Sequence, residues 1–328
     1  MSIFEAQTAR KPNNYPWTDD YIRAIWEGFW TPDEFKFISD AAQFKNELTE
    51  EEQGVMVRTL SAIGQIEIAV KTFWANLGDN LPHPGIRDLG YAMANSEVIH
   101  NKAYEKLLEV LKMEDIFEEN LKEPVVAGRV AYLKKYLERQ YADDRKQYIY
   151  SIILFTLFVE NVSLFSQFYI IMHMNRKNGL MKDTAQQVQY TRNEELLHAN
   201  VGIKIINTMR EEYPDLFDAE MEDLILTQCE QALVAEKRVV EWILDGYSDG
   251  ESLNADVVFE FLRGRMTDSL EECGFGYTRL YIGPLDKDLL AKSYWFDEAL
   301  HGDTMTDFFN KRPVDYAKGT AITEEDLF

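Results

Sequence analysis

The sequence predicts an all-α fold, a bundle of long helices around one buried apolar run. Three observations predict it. Gly and Pro number only 17 and 9 in 328 residues, too few turn formers for a sandwich or barrel. The stretches between these breakers are long enough for helices of several turns. One of them, 148–174, is almost wholly apolar yet carries Glu160 and Asn161 at its middle, as a central helix of a bundle does.

The N-terminal segment to about Phe44 mixes aromatics with Pro, Asn and Asp, and reads as an arm followed by short helical pieces. Thr49 with Glu52 matches a capping box and opens a helix to about Leu77, which the loop GDNLPHPG breaks. Further helices are expected at 86–113, 124–141, 144–174 and 182–210, with Asn178-Gly179 as the turn before the last of these. Helices at 219–246, 254–272 and 285–298 complete the bundle. Residues 1–309 read as a single helical domain with its arm, and 310–328, rich in polar residues and ending in an acidic cluster, as a flexible tail.

The 148–174 run is long enough to span a membrane. A carboxylate at its centre, with Gln167 and His173 further along, makes a buried helix the better reading. The formal charge of −23 repels phosphate backbones and anionic lipid, so nucleic acid and membrane surfaces are poor partners. Two cysteines make no disulfide framework, and MSIFEAQTARKPNN lacks the apolar stretch of a signal peptide. Both features fit the cytoplasm.

The chemistry lies in the spacing of Glu and His. Glu97–His100 and Glu195–His198 each place a carboxylate and an imidazole three residues apart, on one helix face. Glu160 sits in the most apolar stretch of the chain, where an uncompensated carboxylate is very costly. A buried ion pair with an arginine or a neutral carboxylic acid would also account for it. Glu67, in SAIGQIEIAVKTFW, has apolar neighbours that turn it inward. In chain order the helices supply Glu, Glu-x-x-His, Glu and Glu-x-x-His, the ligand set of ferritin-like dimetal-carboxylate bundles. Four carboxylates balance two divalent ions. Oxygen and nitrogen ligands without thiolate suit Mn or Fe, and six ligands on two metals leave positions open for an oxygen species. Glu194 is also within reach of His198. The spacing of the first pair favours Glu195 as the ligand and leaves Glu194 to accept a hydrogen bond from a ligand histidine.

This order of Glu67, Glu97, His100, Glu160, Glu195 and His198 resembles the small, radical-generating subunit of class I ribonucleotide reductase. The resemblance runs from FWTPDE at 29–34 to the closing EEDLF. It implies that Tyr104, four residues after His100, is the radical tyrosine. It implies too that Trp30 and Glu194 lie on a transfer path from His100, and that Tyr316 passes the oxidising equivalent to the large subunit, on which the end of the tail docks. It further implies a homodimer. In such a complex the large subunit binds the ribonucleotide and reduces it, while this chain stores the oxidant. Two positions depart from the family pattern: Glu194 stands where Asp is usual, which puts the link to Trp30 in question, and Glu67 stands where Asp is common. Lys71 follows Glu67 by one turn. It is either a lysine reaching for the surface or a cation beside Tyr104 and the metals, able to steer superoxide. The second reading resembles the subclass called Id, in which a dimanganese centre is itself the oxidant and the tyrosine stays reduced. Dimanganese is therefore favoured, with diiron or mixed Mn/Fe as alternatives.

Two other classes fit part of the pattern. A ferritin-like metal store or dimetal oxidase would work without a partner or a tail. A metal-free acidic scaffold would ignore chelators.

Overall fold

The computed structural model describes residues 2–276 and 283–297, with 67–69 as backbone only. Two short helices, α1 (Trp17–Glu27) and α2 (Ile38–Asn46), follow the N-terminal arm, with a 3-10 turn at Pro32–Glu34 between them. The long helix α3 (Glu50–Ala75) leads through the single turn α4 (Leu77–Asn80) into α5 (Pro84–Leu111). Then come α6 (Glu114–Asn120), α7 (Pro124–Leu133), α8 (Asp144–Phe155), a π-helical segment at Thr156–Ser163, and α9 (Phe165–Asn178). The chain continues through α10 (Lys182–Glu212), α11 (Ala219–Leu244), α12 (Ala255–Glu272) and α13 (Lys287–Ala291). No strand occurs among the described residues.

Five elements form the centre. α3 packs on α5 and α9, and α10 packs on α5, α9 and the π segment. α12 covers the π segment and α9 from outside, and α11 joins α12 to α7. The close approach of α3 and α5 depends on Gly90, where a Cβ would stand 2.6 Å from the Trp74 carbonyl oxygen.

Local chemistry sets the helix ends. The Thr49 hydroxyl accepts from the Glu52 amide at 3.2 Å and the Glu52 carboxylate accepts from the Thr49 amide at 3.0 Å, two otherwise orphaned donors satisfied at once. His83 Nδ1 accepts from the Gly85 amide, with Pro84 at the first helical position of α5. Gly179 takes a φ of 71° and stops α9, a left-handed turn that glycine adopts without strain. Buried Asp40 on α2 accepts from both the amide and the hydroxyl of Thr184, each at 2.7 Å, and so pins α2 to the start of α10.

The structure differs from the sequence reading in four places. The 86–113 helix ends at Leu111, because Lys112 turns left-handed at φ 58°, and α6 follows. The 124–141 helix ends at Leu133 and tightens into a 3-10 turn at Lys134–Leu137. The 144–174 helix is not continuous α-helix, since Thr156–Ser163 is wound as a π-helix, and it runs on to Asn178. The last helix is interrupted: α13, capped by the Asp286 carboxylate on the Asp288 and Leu289 amides, gives way to a turn at 292–294 before helical residues resume at 295–297. The apolar run at 144–178 is 94% buried over its most apolar window and forms the centre of the bundle.

Candidate metal centre

Glu97 and His100 project from α5, Glu160 from the π segment, and Glu195 and His198 from α10. All five side chains are completely buried. His100 Nδ1 lies 3.0 Å from a Glu195 oxygen and 3.3 Å from a Glu97 oxygen. His198 Nδ1 lies 2.9 Å from Glu97, 3.4 Å from Glu195 and 3.6 Å from Glu160. One ligand atom from each of Glu97, Glu160, Glu195 and His198 falls within a 4.8 Å cluster.

These spacings suit ligands that share an ion. Two donors about 2.1 Å from a common ion, at right angles, stand about 3 Å apart. Both oxygens of Glu97 and of Glu195, and Oε2 of Glu160, are buried without a hydrogen bond of acceptable geometry, as are both ring nitrogens of His198. Native interiors rarely leave so many polar atoms unsatisfied in one place. A pair of divalent cations fits this donor set, since it would satisfy the oxygens and offset their charge together.

The electrostatics carry the same message. Burial, with the charges of Glu195 and Glu97 beside it, pushes the Glu160 carboxyl well above its ordinary range. Burial also disfavours the charged forms of Glu195 and His198. For Glu195, the imidazoles of His100 and His198 close beside it outweigh it and hold the carboxyl below its usual range. For His198, the surrounding carboxylates, Glu97 foremost, outweigh it and hold the ring well above its usual value. Positive charge is thus favoured at the centre of the cluster.

Around the cluster, Glu194 does not face the Nδ1 atoms that Glu195 meets. Its Oε2 lies 2.7 Å from His100 Nε2 and accepts from Trp30 Nε1 at 2.8 Å. A His100 tautomer with its proton on Nε2 donates to Glu194 and aims the Nδ1 lone pair at the cluster. The Glu side chain, where Asp was the pattern, spans this gap. Trp30 is buried, and its ring lies 6.2 Å from that of His100, tilted by 26°.

Tyr104 is buried on α5, one turn beyond His100. Lys71 is half-buried rather than extended into solvent. Its ammonium donates to Asn101 Oδ1 at 3.0 Å, and Asn101 donates back to the Glu97 carbonyl. Lys71, Asn101 and Tyr104 line one cleft of about 670 Å³. The Glu67 side chain, Tyr316 and the closing residues Leu327 and Phe328 lie outside the described residues.

Trp74 is a contact that sequence reasoning passed over. Its indole donates to Glu160 Oε1 at 2.8 Å. The available signal was its position seven residues after Glu67, two turns along one face of α3. Glu160 therefore meets an indole and an imidazole, in place of the arginine that a buried ion pair would supply.

Comparison with known proteins gives a consistent picture. The family model "Ribonucleotide reductase, small chain" matches residues 8–282. A probable ribonucleoside-diphosphate reductase small subunit of Invertebrate iridescent virus 3 is 25% identical, over 98% of this chain and 87% of its own. The ribonucleotide reductase R2 subunit of Clostridium botulinum superposes with a TM-score of 0.76 at 17% identity, covering 91% of this chain and 93% of that one. A variant of an R2-like ligand-binding oxidase with a Mn/Fe cofactor superposes with a TM-score of 0.67 at 18% identity, covering 80% and 94%. Both structures share the ferritin-like bundle.

Replacing Glu160 with Ala removes a ligand from the centre of the cluster. Manganese affinity in equilibrium dialysis should fall by more than the roughly 10–100-fold typical of losing an outer partner of a ligand. Far-UV circular dichroism should still report a helical protein, since the apolar faces hold the bundle. Full loading of Glu160→Ala would contradict the site.

Proposed function

The chain belongs to the ribonucleotide reductase small-chain family, and from that premise we propose how its buried site serves a ribonucleoside-diphosphate reductase. The chain is the radical-generating subunit. It holds an oxidising equivalent and passes it to a large subunit, which converts ribonucleotides to deoxyribonucleotides. Glu67, Glu97, His100, Glu160, Glu195 and His198 hold two metal ions. When bound, the metal pair supplies a one-electron oxidant.

The observation that carries this reading is the chain of hydrogen bonds from Trp30 through Glu194 to His100. An electron withdrawn from a buried indole makes its N–H strongly acidic. Glu194 Oε2, 2.8 Å away, takes that proton, so no net charge is stranded in a low-dielectric interior. The same oxygen fixes the ring of His100. Trp30 is thus coupled to the site by geometry that metal storage or a partner-free oxidase does not require. Beyond Trp30 the path continues through Tyr316 on the tail. The tail docks on the large subunit through Leu327 and Phe328, and two copies of the chain form the working dimer.

The reading extends to the choice of oxidant. Lys71 and Tyr104 share one cleft. A cation there disfavours removal of an electron from the phenol and attracts an anionic oxidant such as superoxide. The favoured cofactor is therefore dimanganese, with Tyr104 remaining reduced, as in subclass Id.

Trp30→Phe keeps the ring packing and removes the N–H. It should load metal and bind the large subunit as wild type does, while nucleotide reduction falls by about a hundredfold or more. Undiminished turnover would remove the main support for the function. A separate experiment addresses the oxidant. Electron paramagnetic resonance of active protein should give a manganese signal without a sharp organic radical, and Tyr104→Phe should keep a measurable share of activity. A sharp radical that tracks activity and disappears in Tyr104→Phe would assign the oxidant to the tyrosine.

A further inference from the structure

Glu160 is the one ligand carried on a π-helix. A π turn holds one more residue than an α turn, and such turns are rare and costly unless their surroundings hold them. Reversion to α-helical winding would rotate the following residues by roughly 100° per residue shifted, enough to turn a carboxylate away from its partners. Something must hold the register of 156–163.

Two arginines reach this segment from different helices. Arg129 on α7 is 1% exposed. Its guanidinium donates to the Ser163 carbonyl and to Gln167 Oε1 on α9, to the Ala62 carbonyl of α3 at 2.9 Å, and to Glu236 on α11 at 2.8 Å. Arg265 on α12 donates from Nε to the Asn161 carbonyl at 2.8 Å, and its guanidinium lies over the Phe165 ring, 3.4 Å from the centroid. The Asn161 side chain is held in turn by Ser269. The two carbonyls gripped, 161 and 163, lie one and three residues after Glu160. On the third side α10 approaches through Gly202, where a Cβ would stand 2.2 Å from the Thr156 hydroxyl. A simple buried ion pair between Arg129 and Glu236 would need none of the carbonyl contacts.

We propose that Arg129 and Arg265 are positioning residues that hold segment 156–163 in its π register and thereby aim Glu160 at the metal pair. The metal part of this inference rests on the function proposed above. The clamp itself rests on the protein fold. Lysine at either position keeps the positive charge but replaces a planar fan of five donors with a single ammonium.

The test uses full-length Arg129→Lys and Arg265→Lys with two readouts. In metal-free protein, hydrogen exchange of the amides in 156–165 should accelerate by about tenfold or more relative to α5 and α10. In loaded protein, manganese affinity should drop by roughly 10–100-fold, and the manganese resonance spectrum should change shape. Arg265 borders an open cleft of about 350 Å³ with Asp268 and Glu272, so a lysine there can be solvated, and this variant decides the matter if Arg129→Lys does not fold. Exchange that rises evenly over the whole chain, or not at all, with wild-type affinity and spectrum, would overturn the clamp. Absence of saturable manganese binding by wild type would instead count against the metal site, and the exchange comparison would still judge the clamp.

Discussion

The structure depends on one electrostatic constraint: carboxylates gathered in a dry interior need cations. Glu97, Glu160 and Glu195 are wholly buried within reach of one another. Their mutual repulsion and lost hydration cannot be offset by packing, since an uncompensated buried charge costs several kcal/mol even after relaxation. The electrostatics of the cluster carry the same conflict. His198 is held toward its charged form and Glu160 toward its neutral one. A divalent pair would supply charge of the right sign at ligand-sized spacing.

The rest of the architecture follows from delivering those groups to one point. Glu-x-x-His on α5 and on α10 turns helix periodicity into paired donor groups. The adjacent residue Glu194 points about a quarter-turn away from Glu195, and that angle lets one oxygen bridge His100 to Trp30. A single stretch of α10 therefore supplies two groups of the cluster and the carboxylate that meets Trp30. The apolar shell, including Trp74 against Glu160, excludes water, which strengthens every interaction inside.

Much of this was legible in the sequence because helices convert spacing into direction. Glu97, His100, Glu195 and His198 could be paired from their numbers alone, and Glu160 stood out as a carboxylate among aliphatic and aromatic residues. The preference for Glu195 over Glu194 rested on repeated spacing, and in the structure Glu195 is the one that meets both Nδ1 atoms. The π segment was not legible. Its register is a matter of backbone hydrogen bonds, and in a run apolar on all sides no face can reveal an extra residue per turn. Arg129 was hidden for a related reason. On an amphipathic helix an arginine reads as solvated, and its partners Ala62, Ser163, Gln167 and Glu236 lie 34 to 107 residues away in sequence. The break after α13 was missed because Asp286 marks a helix start well, while nothing in 292–294 marks an interruption.

The central claim, that the buried carboxylates exist to hold cations, is tested most directly by calorimetric titration of metal-free wild-type protein with manganese in two buffers of different ionisation enthalpy. The account predicts saturation at two ions per chain with net release of protons, because the ions displace protons held by the ligand cluster. Saturation without proton release, or no saturable binding, would contradict it.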